Sequence, residues 1–275
     1  MEIILSPCPN DVFILSGLIL KKIPTTLNLS FHFADIQTLN ELLLQKKYPI
    51  IKASFAIYPE VYKEYQILGI GSALGYGVGP ILVSKMFSKE MNFTGYKVAL
   101  PGKYTTAHFL WNYFYKFEVE KVFLSYEAII PALLEGKVDL GILIHEGRFV
   151  YEKYGLYLIS DLGDLWEKRH HCPLPLGGFF IKRNLPEAIK KEIYTSFRRS
   201  LDYAWAHQDE VFPLLKHYAQ ELDREVIFKH IETYVNQYTY ELNDEAKKGL
   251  SIFFESLGLE DVLEAYIWEV KDGIS

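Results

Sequence analysis

The stretch "LGILIHEGRF" (Leu140–Phe149) runs apolar for most of a strand's length and then ends in His145, Glu146 and Arg148. An imidazole at the end of a buried strand is expected at the mouth of a dry site, where its pKa can be useful near neutral pH and it can move a proton. The alternative is a structural histidine closing a strand. No serine or cysteine elbow accompanies it, so a hydrolase triad has no support. Neighbouring strand residues point to opposite faces, so Glu146 is not expected to orient the His145 ring.

Three further stretches place polar side chains after apolar runs. In "LPGKYTTAHF" (Leu100–Phe109), Gly102 permits a tight loop and Thr105 or Thr106 caps a helix. The free N–H groups and positive dipole end of that helix suit an anion, although an ordinary cap needs only one threonine. The GxxxxGK[ST] spacing of a phosphate loop is absent. In "IIKASF" (Ile50–Phe55), Lys52 and Ser54 offer a cation and a hydroxyl. They fit a carboxylate ligand at a cleft edge, or a surface residue at a strand end. In "SPCPND" (Ser6–Asp11), two prolines stiffen the backbone, and Asn10 or Asp11 reads as the cap of the following helix or as a cleft-facing group.

The elements that must carry these residues alternate as in a parallel sheet with covering helices. "EIILS", "LNLSFHFAD" and "PIIKAS" read as strands, with helices over "NDVFILSGLILKK" and "IQTLNELLLQKK"; in the second helix Ile36, Leu39, Leu43 and Leu44 share a face. "GYGVGPILVSK" reads as a glycine-loosened strand, followed by a polar crossing, "MFSKEMNFTGY". The alternation then restarts through "KVALPG", "TTAHFLWNYFYKF", "KVFLSY", "EAIIPALLEGKV" and "DLGILIHE". "PLPLGGFFIKR" reads as a return strand, and the rest is helical, opening on an Asn184/Glu187 capping pair with Ile189, Ile193, Phe197 and Leu201 on one face. The expected division is a larger α/β lobe of residues 1–86 and 176–275 with a smaller lobe, 87–175, inserted into it. Ligands of open α/β sheets sit at the carboxyl ends of strands, which places all four stretches around a cleft between the lobes.

Bulk properties narrow the classes. A net charge of -6 argues against a nucleic-acid partner. The most apolar window, "VFILSGLIL", is too short to span a bilayer, and the first residues already read as strand rather than as an export signal. Cys8 and Cys172 are the two cysteines, which fits a reduced, cytoplasmic setting. His170 and His171 beside Cys172 do not form a metal set, because adjacent side chains rarely converge on one ion.

Taken in order, "SPCPND", "DIQTLNELL", "GYGVGPILVS", "PGKYTTA", "IHEGRF" and "PLPLGG" resemble the motifs of the 1,4-dihydroxy-6-naphthoate synthase family of the futalosine route to menaquinone. The resemblance spans nearly the whole chain and implies a periplasmic-binding-protein type II fold: two α/β lobes, the second inserted into the first, and a helical C-terminal region. It implies a carbon–carbon lyase that converts cyclic dehypoxanthinylfutalosine to 1,4-dihydroxy-6-naphthoate and dihydroxyacetone without metal or other cofactor. His145 matches the family's general base. Lys52, Ala53 and Ser54 match its first substrate-binding stretch, and Thr106 and Ala107 its second, with Thr105 beside them. Asn10 and Asp11 belong to the opening motif and are expected to line the cleft. Two stretches depart from the pattern: "PIIK" puts Pro49 and Ile51 where the family has polar residues, and "YTYELNDEA" lacks a glycine, which affects a helix cap. Rival readings are chorismate dehydratase, which shares the fold but opens differently, a non-catalytic solute receptor, and the effector domain of a regulator.

Overall fold

Three short strands, β1 (Glu2–Leu5), β2 (Ser30–Phe33) and β3 (Ile50–Ser54), pair in parallel with β1 at the centre, joined by the crossover helices α1 (Pro9–Ile19) and α2 (Ile36–Leu44). The computed structural model describes residues 1–86, 92–219, 223–259 and 265–270. A 3-10 helix (Phe55–Glu60) leads into β4 (Tyr65–Leu68) and β5 (Ala73–Gly75). The chain then builds a second sheet from β6 (Ile81–Ser84), β7 (Lys97–Leu100), α3 (Thr106–Phe114), β8 (Glu120–Phe123), α4 (Tyr126–Leu134), β9 (Leu140–Leu143), the short α5 (Gly147–Val150), β10 (Tyr157–Asp161) and α6 (Leu162–His170). It returns through β11 (Leu174–Lys182) and ends in α7 (Glu187–Ala206), α8 (Gln208–Tyr218), α9 (Arg224–Tyr234), α10 (Gln237–Tyr240), α11 (Asp244–Ser256) and β12 (Ile267–Trp268).

Among the described residues, the first sheet runs β12-β4-β11-β3-β1-β2 with β5 on β11, and the second runs β10-β6-β9-β7-β8. β11 is antiparallel to β3, β4 and β5, so the returning strand ties the first sheet together. The fold is therefore the two-sheet α/β arrangement, with a helical C-terminal region, that the alternation implies.

One strand is placed differently. The expected larger lobe includes Ile81–Ser84, but β6 pairs with β9 and β10 in the second sheet. The glycines of "GYGVGP" and Pro80 interrupt the chain before β6, so it leaves the first sheet ahead of that strand. Gly79 lies so close to the start of α6 that a Cβ there would stand 2.3 Å from the Gly163 Cα, and the Leu162 N–H donates to the Pro80 carbonyl at 2.9 Å. The polar stretch read as the crossing, residues 86–96, falls partly outside the described residues.

Packing follows from the patterns. α1 is buried on every side, as its nearly unbroken apolar sequence requires, and shares a core with Phe179 of β11 and with Ile193, Phe197 and Leu201 of α7. The expected Asn184/Glu187 cap does not form. Pro186 keeps Leu185 out of helical geometry, so α7 starts at Glu187 with Pro186 at the cap position. Another cluster joins Ile51 and Phe180 of the first sheet to Leu82, Val98 and Ile142 of the second. Among the described residues, no helix is long and apolar enough to cross a membrane.

Candidate active site

The four stretches meet. Asn10, Asp11, Lys52, Ala53, Ser54, Thr105, Thr106, Ala107 and His145 all line one cleft, which has a volume of about 90 Å³ and opens to solvent. Ser6, Leu176, Gly177 and Tyr234 complete much of its wall.

At the end of β1 the prolines act differently from expectation. Pro9 takes the first helical position of α1, where its missing N–H is harmless, and Cys8 becomes the cap residue without a side-chain capping bond. Asn10 and Asp11 therefore fall inside the first turn and are not caps. Both are buried, and the Asn10 Nδ2 donates to Asp11 Oδ1 at 2.8 Å. Asp11 Oδ1 also meets the Lys52 ammonium at 2.8 Å, an ion pair whose side chains are each only 4% exposed. Burial raises the Asp11 carboxyl from its usual value while the Lys52 charge opposes that rise.

Lys52 is buried because β3 is flanked by β1 and β11. Its ammonium donates to the Gly71 carbonyl at 2.8 Å and lies 4.9 Å from the centre of the Phe179 ring. The ligand-facing lysine expected at a cleft edge is thus also the counter-ion of Asp11. Ser54 is held by Asn40, which donates to its Oγ at 3.1 Å and accepts from its N–H at 2.9 Å.

Across the cleft, Thr105 caps α3: its Oγ1 accepts from the His108 N–H at 3.3 Å and donates to the Gly102 carbonyl at 2.8 Å. Thr106 does a different job. Its Oγ1 donates to Leu176 O of β11 at 2.7 Å and so ties the helix start to the first sheet. First-turn amides of a helix lack intrahelical acceptors, so this end of α3 is the natural seat for an anionic group.

His145 follows β9 in left-handed geometry, φ 53°, and is half-buried. Its Nε2 lies 3.7 Å from the Cys8 Sγ, and the Tyr126 ring packs at 4.8 Å between centroids. Burial, with a smaller contribution from the Lys52 charge, lowers its pKa to about 4, so the ring is neutral at physiological pH. Cys8 stays a thiol, since burial and then Glu146 push its pKa well up. Burial likewise raises the Tyr234 phenol to about 12.

Behind the cleft lie residues that sequence reasoning did not place. His230 of α9 is fully buried, with Nε2 2.9 Å from Asn10 Oδ1 and Nδ1 3.9 Å from Glu146 Oε1. Glu146 thus approaches this inner histidine, and Arg148 reaches Asp161 at 3.3 Å. No local signal marks His230, because its partner Asn10 is 220 residues away in sequence. His170 packs on Trp166, with centroids 4.2 Å apart, and its Nε2 is 3.0 Å from the Tyr113 hydroxyl.

Comparison with known proteins gives this geometry a context. A 1,4-dihydroxy-6-naphthoate synthase from Thermus thermophilus is 38% identical over 249 residues, covering 90% of each chain. The enzyme of that name from Streptomyces coelicolor is 33% identical over 250 residues, covering 89% of this chain and 88% of its own. A crystal structure of an Archaeoglobus fulgidus protein superposes with a TM-score of 0.88 at 32% identity, covering 94% of this chain and 96% of that one. The periplasmic aliphatic sulphonate binding protein of Escherichia coli, at 14% identity, has a TM-score of 0.65 and covers 100% of this chain and 94% of its own, a likeness of fold alone. It identifies the architecture as the periplasmic-binding-protein fold. Residues 1–258 match the family profile described as menaquinone biosynthesis, and with relatives of this identity and coverage the chain belongs to that family.

Proposed function

We propose that the protein is a 1,4-dihydroxy-6-naphthoate synthase, a lyase that takes cyclic dehypoxanthinylfutalosine to the naphthoate and dihydroxyacetone, with His145 as general base. The observation that carries the reading is the meeting of His145 with Lys52–Ser54 and Thr105–Ala107 on one cleft, in a chain whose residues 1–258 match the menaquinone-biosynthesis family. The neutral imidazole removes a proton from the bound substrate, ring opening and carbon–carbon cleavage follow, and gain of aromaticity drives the later steps. A base of this low pKa works by placement rather than strength. A substrate carboxylate at the α3 terminus counters the Lys52 charge, which is one of the two causes of the weak basicity.

Asn10, Asp11, Ala53 and Ser54 shape the wall against which the substrate lies, and the two sheets act as lobes that close over it and exclude water. The partner is a small-molecule carboxylate. A cytoplasmic location suits a chain whose two cysteines are free, buried thiols.

Incubating the purified protein with the cyclic futalosine derivative tests this, with the naphthoate as the product to detect. Formation of product by wild type but not by His145→Asn supports both the reaction and the base. Binding of the compound unchanged by wild type supports a receptor instead, and comparable turnover by the variant removes His145 from its role.

A further inference from the structure

We propose that His230 is a positioning residue for this reaction: buried behind the cleft, its Nε2–H fixes the Asn10 carboxamide in the orientation that lets Asn10 and Lys52 share the Asp11 carboxylate at the cleft wall. The role in turnover rests on the lyase reading above; the hydrogen-bond chain itself does not.

The argument is one of donors and acceptors. Asp11, ion-paired to Lys52 at 2.8 Å, is a carboxylate and only accepts. The Asn10 atom facing it at 2.8 Å is therefore the NH2 group, which turns the Asn10 oxygen the other way. That oxygen sits 2.9 Å from His230 Nε2 and must accept from it, so Nε2 carries the proton. Burial first, then the neighbouring His145 and Arg148, disfavour a second proton on this ring, leaving Nδ1 bare. Nδ1 lies 3.9 Å from Glu146 Oε1, longer than a hydrogen bond. Tyr234, one turn further along α9, packs against the ring with centroids 4.6 Å apart.

In the chain His230, Asn10, Asp11, Lys52 the donors converge on Asp11, from His230 through Asn10 at one end and from the Lys52 ammonium at the other. Every link is buried, and the chain ends on the ammonium whose charge acts on His145. Without the His230 donor, Asn10 retains a buried, unsatisfied oxygen, and its side chain loses the contact that holds it against Asp11. Lys52 then loses its fixed seat at the wall that receives substrate. A side chain whose amide nitrogen reaches the place of Nε2 restores the donor, and glutamine does this.

Two experiments test the proposal. Nitrogen-15 spectra of the histidine rings in ligand-free wild type show His230 with a protonated Nε2 and a bare Nδ1 between about pH 5 and 8; an Nδ1–H tautomer or an imidazolium overturns the chain. In steady-state assays, His230→Leu lowers kcat/KM by about tenfold to a hundredfold, and His230→Gln restores it to within about fivefold of wild type. Equal loss in both variants, with circular dichroism unchanged, reduces His230 to packing and overturns its positioning role. Absence of turnover by wild type defeats the lyase reading and the role in catalysis, whereas the ring spectra decide the hydrogen-bond chain independently.

Discussion

The imidazole rings of His145 and His230 lie parallel, with 4° between their planes and 6.0 Å between their centroids. The outer ring borders the cleft and the inner one is sealed from solvent. Burial removes the charge from both, and proximity adds to the effect at His230. The site thus presents a neutral acceptor backed by a neutral donor, and its behaviour with pH follows.

Replacing the outer ring tests the acceptor. His145→Asn keeps a polar side chain of smaller size without a basic nitrogen, and turnover falls by about a hundredfold to ten-thousandfold. Binding of substrate, measured by calorimetry on the same variant, persists. In wild type, kcat/KM stays level at neutral pH and declines only as the pH drops through about 4, where the free-enzyme ring takes up a proton. A decline centred near 6.5 contradicts the sheltered position of the ring.

Stability follows the same ring. Its folded pKa of about 4 lies below the ordinary 6.5, so between those values the unfolded chain binds a proton that the native chain refuses. The contribution is constant above pH 6.5 and is lost progressively as pH falls toward 4. His230 acts in the same direction. Urea midpoints measured across that window drop on acidification, and the slope is shallower in His145→Asn.

The ion pair of Lys52 and Asp11 gives a third expectation. With side chains only 4% exposed, removal of one partner leaves an uncompensated buried charge. Lys52→Met destabilises by about 3–5 kcal/mol. Adding Asp11→Asn recovers much of that loss, because the remaining group is neutral. Denaturation of the two variants side by side decides the matter, and equal stability of both rules out a buried pair.

A fourth prediction concerns the loop before α3. Gly102 has φ 152°, and a methyl group there would stand 2.3 Å from the Gln37 Oε1 of α2. The Tyr104 N–H meets the same oxygen at 3.4 Å, so the loop is seated on the first sheet's layer. Gly102→Ala displaces it from α2, raising KM about tenfold while kcat changes less. Shortening the obstacle with Gln37→Ala in the same chain returns part of the affinity.

Much of this arrangement was legible before any coordinates. Apolar spacing in Ile193, Phe197 and Leu201 marked the buried face of α7, and four polar stretches after apolar runs marked the cleft wall. Local rules failed where a neighbour outweighed them. Pro9 started α1 early and turned two expected caps into buried partners, and the break at Pro80 moved a strand to the other sheet. β10 and α6 escaped notice, since Tyr157 and Leu158 are exposed apolar residues on a strand that, among the described residues, pairs with β6 alone. Pairings such as His145 with Cys8, 137 residues apart, carry no local signature at all.

The left-handed turn at His145, φ 53°, sets folding against chemistry at a single residue. Glycine occupies that conformation freely, while any other L-residue loses about 1–2 kcal/mol in taking it. His145→Gly should therefore be nearly as resistant to urea as the parent, the relaxed backbone offsetting the vanished ring contacts, and yet inert toward substrate. Durability alone favours the simplest amino acid at this corner, and only the reaction calls for an imidazole.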